Sequence, residues 1–124
     1  MNDKTGLSLS PCPSSPNCVS SLETEDVKHR VEPLTWAGDL AHTKARLRDA
    51  IGGAGNATFV RETDTYWKVE FRSRFFRFVD DVEFWFDREP AVIHVRSASR
   101  LGYSDFGVNR RRIEHIRLLM ALGK

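Results

Sequence analysis

The fold is decided by one stretch, residues 66–109, which reads YWKVEFRSRFFRFVDDVEFWFDREPAVIHVRSASRLGYSDFGVN. It holds most of the aromatic side chains and many opposite charges. Apolar and polar residues alternate over Tyr66–Ser73, Asp81–Asp87 and Ala91–Ser99, which predicts three strands with one buried face and one wet face. The short turns between them indicate an antiparallel meander. Phe75–Phe78 breaks the alternation, which predicts a bulge or a bent corner.

Two weaker strands and two helices flank this meander. Ala57–Glu62 has a faint strand pattern, and Glu32–Trp36 is predicted as a short edge strand because Pro33 cannot donate to a ladder. A helix is predicted from Asp39, its N-cap, to Ile51, with the glycines of residues 52–55 ending it. A second helix is predicted from Val108 to Leu122, with Ser104 or Asp105 as its N-cap.

These elements predict an α+β fold in the order β-α-β-β-β-β-α. We expect an antiparallel sheet of four to five strands with both helices packed on one face, similar in order to a reduced helix-grip fold. In such a fold a cavity lies between the sheet and the terminal helix, lined here by Trp67, Phe71, Phe84, Ile116 and Met120. Residues 1–30 are rich in Pro and Ser and are predicted to be an extended arm, with residues 31–124 as the single domain.

Composition narrows the classes of function. Nineteen basic and seventeen acidic residues are interleaved and give a net charge of +2, and only Arg110–Arg112 form a basic cluster, so we expect no nucleic-acid partner. No apolar run approaches the roughly 20 residues of a membrane span, and the first residues lack the apolar core of a signal peptide. The sequence therefore predicts a soluble, cytoplasmic protein.

The sequence contains no motif typical of a cofactor-binding or metal-binding site, so we expect neither a cofactor nor a metal. The glycines of residues 52–55 follow a helix instead of preceding one, so phosphate binding is not expected there. Cys12 and Cys18 lack the second ligand pair of a structural zinc site, and the four histidines share no ligand spacing. A disulfide between Cys12 and Cys18 and a pair of free thiols both remain open.

The polar residues of the meander and its loops are the candidate site. Their outward strand positions and flanking loops include Arg74, Asp80, Asp81, Glu83, Arg96, Arg100, Tyr103 and Asp105, and Asn109 points from the last helix toward the sheet. A solvated, ion-paired sheet face is the plain alternative. A binding site for an anionic or hydrogen-bonding ligand would use Arg96 and Arg100 as anchors. Asp80, Asp81 and Glu83 are the candidates for acid/base chemistry.

Three segments carry a resemblance to a known family. Ser15–Ser21 (SPNCVSS), Phe78–Phe84 (FVDDVEF) and Val95–Arg110 (VRSASRLGYSDFGVNR) resemble the signature segments of the domain of unknown function 1499 family, in its order, from about Cys12 to Leu119. The resemblance marks these positions: Asp80, Asp81, Glu83, Arg96, Ser97, Ser99, Arg100, Tyr103, Asp105, Asn109 and Arg110. Many bacterial members look like lipoproteins or carry membrane segments, and plant relatives look plastid-targeted, whereas this chain shows no such segment.

Three functions follow as hypotheses. The first is a non-enzymatic binding module for a small anionic or amphipathic ligand, or for a protein partner, next to the last strand and the start of the last helix. The second is an enzyme using Asp80, Asp81 or Glu83. The third is a structural or assembly protein that makes contacts through Trp85 and the N-terminal arm. All three rest on the expectation that the acids and arginines form one connected cluster.

Overall fold

The computed structural model describes residues 9–73, 78–102 and 105–123. They form six strands and two helices, and the α+β class predicted from the sequence is confirmed. The elements are β1 (Cys18–Ser20), β2 (Leu34–Thr35), α1 (Leu40–Ala54), β3 (Ala57–Glu62), β4 (Tyr66–Arg72), β5 (Val79–Arg88), β6 (Ala91–Ser99) and α2 (Val108–Leu122). Of the predicted corner at Phe75–Phe78, residues 75–77 lie outside the described residues.

The sheet is an antiparallel meander closed at one edge by the N-terminal segment. Its strand order is β1-β6-β5-β4-β3, and β2 also pairs with β6. β1 and β2 therefore share the outer edge of β6, with Ser20 opposite Arg96 and Leu34 opposite Ile93. β1 adds one strand to the predicted four or five, because the predicted arm is part of the sheet.

Ser21 fills the gap between β1 and β2 along that edge. Its amide donates to the Val95 carbonyl at 2.9 Å, and its hydroxyl accepts from the Val95 amide at 2.8 Å. The backbone of β6 is thus paired across the gap between its two short neighbours. A disulfide joins Cys12 to Cys18 at the start of β1, which answers the question that the sequence leaves open about these cysteines.

The first helix begins as predicted and ends later. Asp39 is its N-cap and accepts a hydrogen bond from the His42 amide at 2.8 Å. The helix continues through Gly52 and Gly53 to Ala54, three residues beyond the predicted end at Ile51, and Gly55 is its C-cap. Gly53 suits the crossing of the two helices, since a Cβ there would lie 3.3 Å from a methyl group of Leu119.

Both helices cover one face of the sheet and enclose the core. The alternate residues of β4, β5 and β6 point toward buried positions of α1 and α2 such as Leu47, Ile51 and Ile113. The residues predicted to line a helix-grip cavity belong to this core, with exposed fractions of at most 7%: Trp67, Phe71, Phe84, Ile116 and Met120. Within the described ranges, neither helix is long and apolar enough to cross a bilayer.

The last helix begins after two residues in the left-handed region. Phe106 has φ 55° and Gly107, the N-cap, has φ 83°. The predicted cap Asp105 still serves the helix, because its carboxylate accepts from the Gly107 amide at 2.8 Å and the Asn109 amide at 2.9 Å. The alternative cap, Ser104, lies outside the described residues.

Candidate functional site

The sheet separates the predicted site residues into two groups. In β5, Asp80 is buried on the face covered by the helices, whereas Asp81 and Glu83 are half-buried on the opposite face. The cause is the period of two along a strand, which places neighbouring residues on opposite sides. The expectation of one connected cluster is therefore wrong, and the two groups have different partners.

Asn109 is the centre of the group that faces the helices. Its side chain is fully buried and its amide oxygen accepts from the Ser97 hydroxyl at 2.5 Å and from Arg112 at 2.9 Å. Its amide nitrogen donates to the Ser99 hydroxyl at 2.9 Å and to Asp105 at 2.7 Å. Every polar atom of this side chain thus has a partner, as a buried amide requires.

Asp105 is held in its charged form by this arrangement. Burial alone would raise the pKa of its carboxyl, but hydrogen bonds from the backbone and side chain of Asn109 and from the Gly107 amide lower that pKa below its usual value. A carboxylate at the start of α2 also interacts favourably with the helix dipole. Asp105 therefore holds the first turn of α2 and orients Asn109, which in turn contacts Ser97 and Ser99 of β6.

Arg112 connects Asn109 to Asp80. One guanidinium nitrogen contacts the Asp80 carboxylate at 2.8 Å, and both side chains are largely buried, with exposed fractions of 14% and 12%. The guanidinium carbon also lies 4.8 Å from the centre of the Phe71 ring. This buried ion pair forms the inner end of a cleft.

The cleft lies between the ends of β4, β5 and β6 and the start of α2, and its volume is about 450 Å³. Its polar lining includes Asp80, Ser99, Asp105 and Arg112. Four of its apolar lining residues are exposed, three of them by more than half: Phe78 (57%), Leu101 (76%), Phe106 (84%) and Val108 (39%). We call these four the apolar rim. The cleft thus has the apolar rim at its entrance and the Asp80–Arg112 ion pair, which we call the charged floor, at its inner end. This arrangement suits a molecule that has both an apolar part and a polar part.

The second group, on the outer face of the sheet, is an ion-paired network. Arg100 donates to Asp81 at 2.8 and 2.9 Å and to Glu70 at 2.6 Å. These contacts lower the pKa of Asp81, chiefly through the hydrogen bond with Arg100, and raise the pKa of Arg100. The charges of Arg100, Asp81 and Glu70 are therefore paired with one another within the protein.

Arg96 and Glu83 belong to the same outer face. Glu83 accepts from the Tyr66 hydroxyl at 2.5 Å and lies 3.7 Å from Arg96. The pKa of Tyr66 is raised, first by burial and then by this hydrogen bond. The Arg96 Nε is enclosed and has no hydrogen-bond partner among the described residues, and one terminal nitrogen donates to the Pro11 carbonyl at 3.4 Å.

Arg110 has a third environment, away from both groups. It donates to the carbonyls of Val27, Lys28 and Arg30 at 3.2, 3.1 and 2.6 Å, so it binds the turn that follows β1. Neighbouring Arg111 donates to the Phe106 carbonyl at 2.9 Å. The basic cluster is thus divided among three internal partners. Arg74 and Tyr103 lie outside the described residues.

Three participants were missed from the sequence. The sequence pattern shows Arg112 only as part of a basic run, although it lies about one helical turn after Asn109 on the same face. Asn17 is buried and connects the disulfide segment to the end of β6 through the Ser99 amide at 3.0 Å. Phe106 lies between the marked positions Asp105 and Asn109, and nothing in the local sequence pattern indicates that its side chain is exposed.

Ser21, His94 and Asp87 have the connectivity of a nucleophile, a base and an acid. The Ser21 hydroxyl is 3.1 Å from His94 Nδ1, and His94 Nε2 is 3.8 Å from Asp87. Burial lowers the pKa of His94, with Asp87 opposing. The hydroxyl is nevertheless buried and accepts from the Val95 amide, so the sequence uses it to close the sheet edge. Among the described residues no three metal-binding side chains converge.

The fold and site define an α+β protein with a mixed apolar and charged cleft at the junction of the sheet and its terminal helix. The chain belongs to the family described as protein of unknown function (DUF1499), whose model matches residues 8–120. The family predicted by resemblance is thus confirmed. Searches of the curated proteins and of the solved structures found no match.

Proposed function

We propose that this protein is a binding module that holds a small amphipathic ligand in the cleft between the sheet and the start of α2. The observation that carries the proposal is the exposed apolar rim around the Asp80–Arg112 pair. The apolar part of the ligand packs against the rim, and its polar group meets the charged floor. The cleft volume of about 450 Å³ falls within the roughly 300–1,000 Å³ typical of small-molecule sites.

The conformation of Phe106 supports this proposal. A bulky residue seldom has a positive φ, because this backbone conformation lowers the stability of the fold by about 1 kcal/mol or more. Phe106 has φ 55° and an exposed fraction of 84%. Residues in sparsely populated backbone conformations cluster at ligand sites, which favours a binding role for this exposed ring.

The carboxylates weigh against acid/base chemistry as the function. Asp80 is paired with Arg112, Asp81 with Arg100, and Glu83 with the Tyr66 hydroxyl. Because Asp80 and the other two lie on opposite faces of the sheet, they cannot flank one substrate. The outer face, where Arg96 and Arg100 were expected to anchor a ligand, better fits the structural alternative of an ion-paired surface.

The disulfide bears on location. The sequence predicts a cytoplasmic protein, but disulfides such as Cys12–Cys18 persist in oxidising compartments and are rare in the cytosol. We infer that the protein works where this bond is retained at least part of the time. Mass spectrometry of thiol-trapped protein from its native cells tests this location: full alkylation of both cysteines would contradict it.

A titration tests the binding function. Decan-1-ol, decylamine and decanoate share one apolar chain and differ in head group, so their relative affinities report which charge the floor accepts. We expect saturable binding with amide shifts at Leu101, Gly102 and Val108 in two-dimensional NMR spectra. Absence of saturable binding by all three would overturn the small-ligand proposal and leave a protein partner as the occupant to test.

Two matched variants locate the site. Leu101→Asp places a charge on the rim at a residue that is 76% exposed, and it should weaken binding by about tenfold or more while leaving the fold intact. Leu122→Asp makes the same change at a residue that is 68% exposed at the other end of α2, and it should leave binding unchanged. Equal effects of the two changes would contradict the assignment of the cleft.

A further inference from the structure

One side of the cleft is held by the segment that the disulfide closes. Asn17 precedes Cys18 and is buried, with an exposed fraction of 6%. Its side-chain nitrogen donates to the Gly102 carbonyl at 2.6 Å. The Ser15 hydroxyl, within the same closed segment, donates to the Asn17 side-chain oxygen at 3.0 Å. Ser15 therefore orients the amide so that its donor faces the cleft wall.

The backbone carbonyl of Asn17 contacts a second residue of the cleft lining, Ser99. This carbonyl accepts from the Ser99 amide at 3.0 Å and from the Asn109 side chain at 3.2 Å. Ser99 and Gly102 both line the cleft. A single residue of the disulfide segment, Asn17, thus positions two residues of the cleft lining, Ser99 and Gly102.

We propose that the Cys12–Cys18 disulfide is a redox switch for the cleft, and that its reduction by a dithiol lowers the affinity for the amphipathic ligand. The inference rests on the proposed function and adds its regulation. The bond closes a segment with a sequence separation of six residues, and a cross-link of this kind restricts the conformations of the chain that it closes. Once the bond opens, the pairing of β1 with β6 still holds the C-terminal side of Asn17. The chain on its N-terminal side, including Ser15, is no longer tied to Cys18, so the Asn17 amide that binds Gly102 is less firmly oriented.

The chemistry is ordinary thiol–disulfide exchange. Cys18 is fully buried whereas Cys12 is half-buried, so the thiolate of the dithiol attacks the Cys12 sulfur. The bond between Cys12 and Cys18 breaks, and Cys18 leaves as a thiolate that takes up a proton. The second thiol of the dithiol then attacks the mixed disulfide and releases Cys12. The protein gains two electrons and two protons, and the dithiol becomes a disulfide.

The experiment compares the oxidised full chain with the same chain reduced by dithiothreitol. Decan-1-ol is titrated into each form and followed by NMR. We expect binding to the reduced form to be weaker by about fivefold or more, the usual lower range of coupling between sites. Hydrogen exchange at the Ser99 amide, which donates to Asn17, should become faster on reduction, and this readout needs no ligand.

Two variants separate the switch from a general loss of stability. The double variant Cys12→Ser with Cys18→Ser should bind decan-1-ol like the reduced protein and should not respond to dithiothreitol. Asn17→Asp keeps the disulfide but replaces the donor to Gly102 with an acceptor, so it should show the weaker affinity even when oxidised.

The outcomes distinguish this inference from the function on which it rests. Equal affinity of the two forms, with unchanged exchange at Ser99, would overturn the switch and leave the binding function standing. Failure of both forms to bind decan-1-ol would count against the binding function, and exchange at Ser99 would then decide the coupling alone. Global unfolding on reduction would also overturn the switch, because the bond would then stabilise the whole fold.

Discussion

Arg112 Nη2 lies 2.8 Å from the Asp80 carboxylate at the inner end of the cleft, and this contact joins α2 to β5. Removing one partner of a largely buried ion pair leaves the other without compensation, at a cost of roughly 3 kcal/mol or more. We therefore expect Asp80→Ala to lower the free energy of unfolding, measured in urea, by about 3 kcal/mol.

The control for this change is a pair at the surface. Arg30 and Glu32 also form an ion pair, but their side chains are 35% and 66% exposed. Glu32→Ala should change the free energy of unfolding by less than about 1 kcal/mol. If Asp80→Ala and Glu32→Ala lower the free energy of unfolding by equally small amounts, then water reaches the Asp80–Arg112 pair and screens its charges.

A second prediction concerns the buried amide of Asn109. Replacing it with alanine leaves Ser97, Ser99 and part of Asp105 without the partners described above, and each unsatisfied buried group costs about 1–3 kcal/mol. We expect Asn109→Ala to destabilise the protein by about 3 kcal/mol in urea denaturation. Asn56→Ala, at an exposed position, is the matched control and should change stability by less than about 0.5 kcal/mol. Similar values for both would show that the network carries little stability.

A third prediction separates stability from function at Phe106. Asparagine tolerates the left-handed region better than phenylalanine does, so Phe106→Asn should maintain or raise the melting temperature. The same change removes the most exposed ring of the apolar rim and should weaken decan-1-ol binding several-fold. A clear fall in melting temperature, measured by differential scanning calorimetry, would instead assign the ring a packing role.

A fourth prediction follows from His29, which bridges the N-terminal segment to the turn after β1. Its Nε2 is 2.9 Å from the Ser15 carbonyl and its Nδ1 is 2.7 Å from the Asp26 carboxylate. Both partners are acceptors, so only the doubly protonated ring satisfies both. The Ser15 carbonyl is the main cause of the raised pKa of His29, burial opposes it, and Asp26 adds to the increase; the nearby Glu23 acts in the same direction.

The direction of the pH dependence follows from this raised pKa. The stabilisation is complete below the unfolded-state pKa of about 6.5 and is lost as the pH rises through the higher folded-state pKa. Asp26, whose own pKa is lowered chiefly by His29, loses its contribution only in acid, below the range of this test. We expect the stability advantage of the native chain over His29→Gln to shrink from about pH 6 to about pH 8.5.

The check is a series of urea denaturations across that pH range. His115→Gln, at an exposed position of α2, is the matched control for the loss of an imidazole and should change the free energy of unfolding by less than about 0.5 kcal/mol. A constant difference between the native chain and His29→Gln at every pH would mean that the ring stays neutral and donates to only one partner.

The sequence specifies the regular elements well where a local period is strong. β6 and α2 have the predicted bounds, since alternation and helical spacing are visible within a few residues. β5 begins at Val79 and not at Asp81, because Asp80 occupies an inward position that a local pattern assigns to an apolar residue. Its partner Arg112 is distant in sequence, and no local pattern reveals such a pairing.

The candidate site could be predicted only in part, because its residues come from distant parts of the sequence and their contacts leave no local pattern. The resemblance marks Asp80 and Asp81 together, but adjacent strand residues face opposite sides, so one marked segment serves two separate networks. The cleft also depends on Arg112, which lies outside the quoted segments, and on Asn17, which lies within Ser15–Ser21 but is not among the marked positions. Arg112 meets Asp80 of β5, and Asn17 meets Ser99 at the end of β6. Spacing along the sequence does not encode either contact.

The pairing of the N-terminal segment with β6 has a consequence for any shortened version of the chain. Cutting at the apparent domain boundary near residue 30 would remove β1 and Ser21, which cover β6 from Val95 to Ala98. The uncovered backbone would offer a row of unpaired donors and acceptors to another molecule, the usual route to edge-to-edge aggregation. A segment that the sequence predicts to be an extended arm outside the domain thus protects the rest of the chain from self-association.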